Sequence, residues 1–224
     1  MLDDTLYLGT LDAHLIALDA KTGTKKWAIQ VADYTLGFAI TAAPLPVKDM
    51  IITGLSLGGP DFRHFGNGEI PKKRGRIDAY DAETGELRWR FYTVPAPGEP
   101  GNETWGGSFW KFGGCSTWMT GSYDPALNLV YWGTGSPAMW MFGDFRKGDN
   151  LYSCSVVALN ADTGALTWYY QFTPHDIWDW DAAHIFVLAD MEFAGRPRRL
   201  LLNANRNGFF YVLLSVRVIF GDES

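Results

Sequence analysis

The chain has 224 residues and a formal net charge of −6 at pH 7. The acidic balance argues against a nucleic-acid partner, because phosphate binding needs a basic surface. Aromatic residues make up 15% of the sequence, with 10 Trp, and 25 residues are Gly. This composition favours an all-β protein with frequent turns over a helical one.

The N-terminal segment, MLDDTLYLGT, is typical of a strand and has neither the basic region nor the apolar core of a signal peptide. Cys115 and Cys154 are too few for a disulfide framework and lack metal-site spacing. They could pair with each other or stay free. The longest apolar run, residues 209–220, is too short to cross a bilayer, so we expect no transmembrane segment.

Three copies of one motif recur along the chain: ALDAKTGTKKW at 17–27, AYDAETGELRW at 79–89 and ALNADTGALTW at 158–168. Each copy predicts a hairpin, because the Asp or Asn can bond its own backbone and the Gly supplies the positive φ of a tight turn. The tryptophan that ends each copy (Trp27, Trp89 or Trp168) would dock one sheet on the next. Such self-similarity indicates a propeller of repeated blades.

The motif copies begin further apart than the roughly 40 to 50 residues of a simple four-stranded blade. Each interval therefore holds a blade and an insertion. The Gly- and Pro-rich stretches 58–74 and 94–114 are predicted to be those insertions.

The stretch TPHDIWDWD, residues 173–181, places three aspartates and two tryptophans close together. In an extended segment, Asp179 and Asp181 would share one face and Trp178 and Trp180 the other. Two like charges side by side are tolerable only beside a cation or open water.

Together with the repeat, four stretches resemble the quinoprotein alcohol dehydrogenases, the pyrroloquinoline-quinone (PQQ) enzymes that include methanol dehydrogenase. They are GTLDAHLIALDAKTG (9–23), TWMTGSYDPALNLVYWGTGSP (117–137), TPHDIWDWD (173–181) and NANRNGFFYVL (203–213). The resemblance implies an all-β fold of the eight-bladed β-propeller type, with PQQ and a metal ion near its axis. It further implies about three blades in residues 1–213, a divergent C-terminal tail at 214–224, and a fragment of a longer enzyme.

The resemblance implies a role for each matching residue. Asp179 would be the base that takes the hydroxyl proton of a primary alcohol while hydride passes to PQQ. Trp118 would be the floor under the PQQ ring; its alternative is an ordinary core tryptophan. Arg206, Thr41 and Ser56 would contact the oxygens and carboxylates of the cofactor. For Arg206 the alternative is a surface salt bridge.

The metal ligands implied by the resemblance are Asp179, Asp181, Ser136 and Asp61. An acid at position 181 resembles the lanthanide-using members, since a trivalent cation suits one more negative charge than Ca²⁺ does. The alternative is that Asp181 is a solvated loop acid. Ser136 stands where the family has an asparagine ligand, and Glu69 is an alternative to Asp61 for the family's glutamate.

The resemblance also implies a small alcohol substrate, a cytochrome c as electron acceptor and a periplasmic location. Two other hypotheses stay open. A non-catalytic propeller scaffold would share the repeat, but it has no reason to keep TPHDIWDWD or TWMTGSYDP. An inactive truncated fragment is the other, because an open arc of blades exposes hydrophobic edges.

Overall fold

The structure is a computed structural model that describes residues 1–57 and 73–216. Strands dominate it, together with four 3₁₀ helices at Tyr34–Leu36, Asn102–Thr104, Phe109–Phe112 and Gly143–Phe145. The strands are β1 (Thr5–Gly9), β2 (His14–Asp19), β3 (Lys25–Gln30), β4 (Phe38–Ala39), β5 (Leu45–Val47), β6 (Met50–Gly54), β7 (Ser56–Leu57), β8 (Arg76–Asp81), β9 (Leu87–Tyr92), β10 (Ser122–Asp124), β11 (Leu129–Gly133), β12 (Ser155–Asn160), β13 (Leu166–Gln171), β14 (Val187–Phe193), β15 (Arg196–Ala204) and β16 (Phe210–Leu214). The all-β prediction is confirmed.

The described strands form antiparallel meanders that follow one another along the chain. Their orders are β1-β2-β3, β5-β6-β8-β9, β10-β11-β12-β13 and β14-β15-β16, and β4 pairs separately with β7. In residues 1–57 and 73–216 the chain thus has two four-stranded sheets flanked by two three-stranded ones, as expected of part of a propeller. None of the helices in these residues is long and apolar enough to cross a membrane.

The three motif copies are the hairpins β2-β3, β8-β9 and β12-β13, as predicted. In the second copy, Asp81 Oδ1 accepts the backbone N–H groups of Glu83 at 3.0 Å and Thr84 at 2.8 Å. Gly85 closes the turn at φ 77°, where a side chain would be strained. The motif therefore sets a local turn through its own side chain and glycine.

The predicted docking role of the motif tryptophans is also confirmed. Each indole N–H donates to a backbone carbonyl of the next sheet: Trp27 to Ala82 at 3.2 Å, Trp89 to Ala161 at 2.9 Å and Trp168 to Ser215 at 3.2 Å. A Cβ on Gly164 would lie 2.5 Å from Cε3 of Trp89, so only glycine lets the indole approach that turn. The second and third motif copies thus both form a turn and receive the tryptophan of the preceding sheet.

The core lies between successive sheets. In β6, Ile51 joins the cluster toward the first sheet and Ile52 the cluster toward the third sheet's β11 and β12. In β11, Val130 and Tyr131 divide in the same way. Burial on both faces explains why neither strand carries a charged residue.

Two further predictions concern the cysteines and the C-terminus. Cys115 and Cys154 are buried free thiols, and burial raises the pKa of both. Strand β16 ends at Leu214, and Ser215 is buried and receives the docking bond of Trp168. A tail that begins at 214 stays a prediction, because residues 217–224 lie outside the described residues.

Candidate functional site

The stretch 173–181 is a loop between β13 and β14 rather than an extended strand. Asp176 is fully buried, and its carboxylate accepts the backbone N–H groups of Trp178 at 3.2 Å and Trp180 at 3.3 Å. The two indoles stack, with ring centroids 4.7 Å apart and planes 20° apart. The tryptophans therefore do lie together, but a turn around Asp176 brings them there, and the strand alternation considered for this stretch is wrong.

A buried arginine binds the backbone of this loop. Arg146 is 2% exposed; its guanidinium donates to the backbone carbonyls of Asp176 at 2.7 Å and Trp140 at 3.0 Å, and to the side-chain oxygen of Asn150. Burial lowers the pKa of Arg146. Sequence reasoning missed Arg146 and gave Asp176 no role of its own. Both residues hold the segment that presents the predicted base.

Asp179, the predicted base, lies in this loop with φ 64°. Its side chain is 39% exposed, and Oδ2 lies 3.6 Å from a guanidinium nitrogen of Arg206. Burial raises the pKa of Asp179, and the negative charge of Asp181 raises it further, while Arg206 opposes the shift. The structure thus brings the predicted base and the predicted cofactor arginine together.

Asp181 lies at the centre of a second group of predicted residues. Its Oδ2 accepts the indole N–H of Trp118 at 2.8 Å, and its Oδ1 accepts the backbone N–H of Ser136 at 2.5 Å. A Cβ on Gly135 would lie 2.9 Å from that same Oδ1, so the absence of a side chain gives the carboxylate its place. The interpretation of Asp181 as a solvated loop acid is therefore wrong.

The two predicted hydroxyls belong to neighbouring segments. Thr41 donates its hydroxyl to the backbone carbonyl of Trp118 at 2.9 Å, and Ser56, in β7, is paired with Ala39 two residues before Thr41. The Thr41 side chain therefore contacts the main chain of Trp118, the predicted platform. For Ser56 the structure gives a position in the β4-β7 pair and no cofactor role.

The described residues hold part of the donor set that a metal ion would need. No cluster of three or more His, Cys, Asp or Glu side chains suited to a metal occurs in residues 1–57 and 73–216. Asp61 and Glu69, the two candidates for a further acidic ligand, lie outside the described residues. Asp179, Asp181 and the Ser136 hydroxyl are hard oxygen donors that fit Ca²⁺ or a lanthanide. Because the charge of Asp181 raises the pKa of Asp179, a cation between the two carboxylates would relieve their repulsion.

Comparison with known proteins identifies the family of this chain. Residues 32–216 match the family described as PQQ: glucose/ethanol/alcohol dehydrogenase, beta-propeller domain. The chain belongs to this family. The prediction of a quinoprotein β-propeller is confirmed, and the loop and indole just described lie within the matched residues.

Two curated relatives and one solved structure illustrate the match. Quinohemoprotein alcohol dehydrogenase ADH IIB of Pseudomonas putida is 44% identical over 94% of this chain and 31% of its own length. Lanthanide-dependent methanol dehydrogenase of Methylacidiphilum fumariolicum is 41% identical over 93% of this chain and 35% of its own length. A structure of a europium-containing methanol dehydrogenase is 38% identical with TM-score 0.86, covering 96% of this chain and 39% of that one. The chain thus spans about a third of the length of its relatives.

Proposed function

We propose that this chain carries the base, the cofactor platform and part of the metal site of a PQQ-dependent dehydrogenase that oxidises a primary alcohol to an aldehyde. One observation carries the proposal: Asp179 lies 3.6 Å from Arg206, two residues before a carboxylate bound to the Trp118 indole. A base, a cation and a flat aromatic surface at one loop are what a PQQ enzyme needs from its protein.

PQQ, when bound, supplies the hydride acceptor. Asp179 accepts the alcohol's hydroxyl proton, and its raised pKa makes it a stronger base than an ordinary carboxylate. Arg206 offers guanidinium donors to quinone oxygens, which suits its half-exposed position. Trp118 offers an indole face, and Ser56 supplies a hydroxyl for the cofactor's carboxylates. The Thr41 hydroxyl, which donates to the Trp118 carbonyl, would have to turn away from it to bind a carboxylate.

The metal would be held by Asp179, Asp181 and Ser136, with Asp61 or Glu69 as the additional acid. Two carboxylates within the described residues favour a trivalent lanthanide over Ca²⁺, since charge on the ligands should match charge on the ion. The lanthanide-dependent and europium-containing relatives support the same preference. By resemblance to the family, a cytochrome c would accept the electrons and the protein would act in the periplasm.

The test is alcohol oxidation by the protein supplied with PQQ and either La³⁺ or Ca²⁺, with an artificial electron acceptor. Asp179→Asn should abolish turnover but leave PQQ bound, because it removes the base and keeps the side-chain shape. Asp49→Asn, an exposed carboxylate on the second sheet, is the matched control and should leave turnover unchanged. Undiminished turnover in Asp179→Asn would rule out the assigned base.

A further inference from the structure

We propose that Asp181 is a positioning residue for the cofactor platform, and that its carboxylate fixes the plane of the Trp118 indole on which PQQ would lie. The inference rests on the proposed function, because Trp118 is a platform only if PQQ binds there. It gives Asp181 a role that is separate from metal binding.

The contact is a hydrogen bond to a charged acceptor, which is stronger than one between neutral groups. It joins the indole N–H of Trp118 to Asp181 Oδ2 at 2.8 Å, across 63 positions of sequence. The backbone N–H of Ser136 holds the other oxygen at 2.5 Å. With both oxygens engaged, the carboxylate has little freedom to rotate away from the indole.

The backbones at the two ends of this bond are fixed independently. The carbonyl of Trp118 accepts the Thr41 hydroxyl at 2.9 Å. Directly after Asp181, the backbone N–H of Ala182 donates to the carbonyl of Thr134 at 3.0 Å. The side-chain rotation of Trp118 is the freedom that remains, and the Asp181 bond removes it.

The arrangement links the platform to the base. Asp179 and Asp181 belong to one loop, so the orientation of the Trp118 face is set relative to the base rather than by a separate segment. Each carboxylate oxygen has two lone pairs, so a cation on Asp181 and the indole bond are compatible. The two roles can therefore be separated by removing the indole donor alone.

Three variants separate them. Trp118→Phe keeps an aromatic face and the carboxylate but deletes the N–H donor. Asp181→Ala deletes the acceptor, and Asp181→Asn keeps one acceptor oxygen for two donors. In ¹H–¹⁵N spectra, the Trp118 indole signal is the one missing from Trp118→Phe. In Asp181→Ala it should move and exchange with solvent at least roughly tenfold faster, with Asp181→Asn intermediate.

The indole signals of Trp89 and Trp168 are the internal control, because both indoles are buried and donate to the backbone carbonyls of Ala161 and Ser215, outside this loop. They should be unchanged in all three variants. If Asp181→Ala loses them through misfolding, Asp181→Asn and Trp118→Phe still give the comparison. An unchanged Trp118 signal in a folded Asp181 variant would overturn the inference.

PQQ binding, followed by fluorescence in the presence of a metal chelator, gives the second measurement. Trp118→Phe and Asp181→Ala should each weaken binding by roughly ten- to a hundredfold, and the double variant should be no weaker than either alone. Wild-type binding with no effect of Asp181→Ala would overturn the positioning role and leave the proposed function standing. No PQQ binding by the wild type, with or without metal, would overturn the proposed function and the inference with it.

Discussion

The docking tryptophans offer a quantitative test of how the sheets are held together. Trp89→Phe keeps an aromatic ring between the second and third sheets but removes the indole N–H that binds the Ala161 carbonyl at 2.9 Å. Ala161 is fully buried, so its carbonyl loses its hydrogen bond without gaining water. The lost bond and the stranded acceptor together cost about 1 to 3 kcal/mol, and the smaller ring adds about 1 kcal/mol. We expect about 2 to 4 kcal/mol of destabilisation.

Trp27→Phe is the matched control, because its acceptor has a second donor. The Ala82 carbonyl also receives the Tyr7 hydroxyl at 2.9 Å, so it stays satisfied when the indole N–H is lost. In the described residues, the structure records only the Trp89 bond at Ala161. Trp27→Phe loses only the bond itself and part of the contact of a half-buried ring, so it should destabilise by about 1 to 2 kcal/mol.

The assay is urea unfolding followed by far-UV circular dichroism, which does not depend on the mutated indoles. The free energy of unfolding of each variant is compared with that of the wild type at an unchanged m-value. Equal losses in the two variants, or a larger loss for Trp27→Phe, would refute the argument that the stranded carbonyl dominates.

Three further outcomes are expected from the same unfolding assay. The hydrogen bond from Arg88, with the turn amides, lowers the pKa of Asp81 to about 2 from 3.8. The contribution of Asp81 to the free energy of unfolding should therefore be present above pH 4 and lost as the pH falls toward 2. Asp81→Asn should flatten this pH dependence, and an unchanged acid profile in the variant would contradict the assignment. Gly164→Ala should lower the free energy of unfolding more than Gly23→Ala does. Both glycines have positive φ, but only a Cβ at Gly164 would clash with an indole, that of Trp89. Equal losses in the two variants would exclude an effect of that clash. Arg146→Lys should lower the free energy of unfolding by about 2 to 4 kcal/mol, because one ammonium cannot replace the several donors of the guanidinium. The near-ultraviolet circular dichroism signal of the stacked indoles should be lost with it. An unchanged signal would show that the loop keeps its conformation without Arg146.

The hairpins could be predicted because the motif is local. Asp81 and Gly85 lie within one turn, and each acts on backbone only a few residues away. The identity of the docking partners could not be predicted in the same way. The acceptor of Trp168 is the carbonyl of Ser215, outside any motif copy, and a carbonyl leaves no mark in sequence.

Part of the site could also be predicted from a local sequence signal. TPHDIWDWD is conspicuous in sequence, so Asp179 and Asp181 could be singled out, but alternation along a strand gave the wrong local geometry. Arg146 binds mainly main-chain carbonyls from separate segments, and its neighbours in sequence give no sign of it. The bond from Trp118 to Asp181 joins two loops, which only the packing of the sheets brings together.

The proposed function requires that this chain bind PQQ on Trp118 beside a metal-binding loop. Titration of the purified protein with PQQ, followed by quenching of tryptophan fluorescence with and without Ca²⁺ or La³⁺, tests it most directly. We expect saturable quenching that La³⁺ strengthens and that disappears in Trp118→Ala. Quenching that survives Trp118→Ala, or no quenching under any of these conditions, would contradict it.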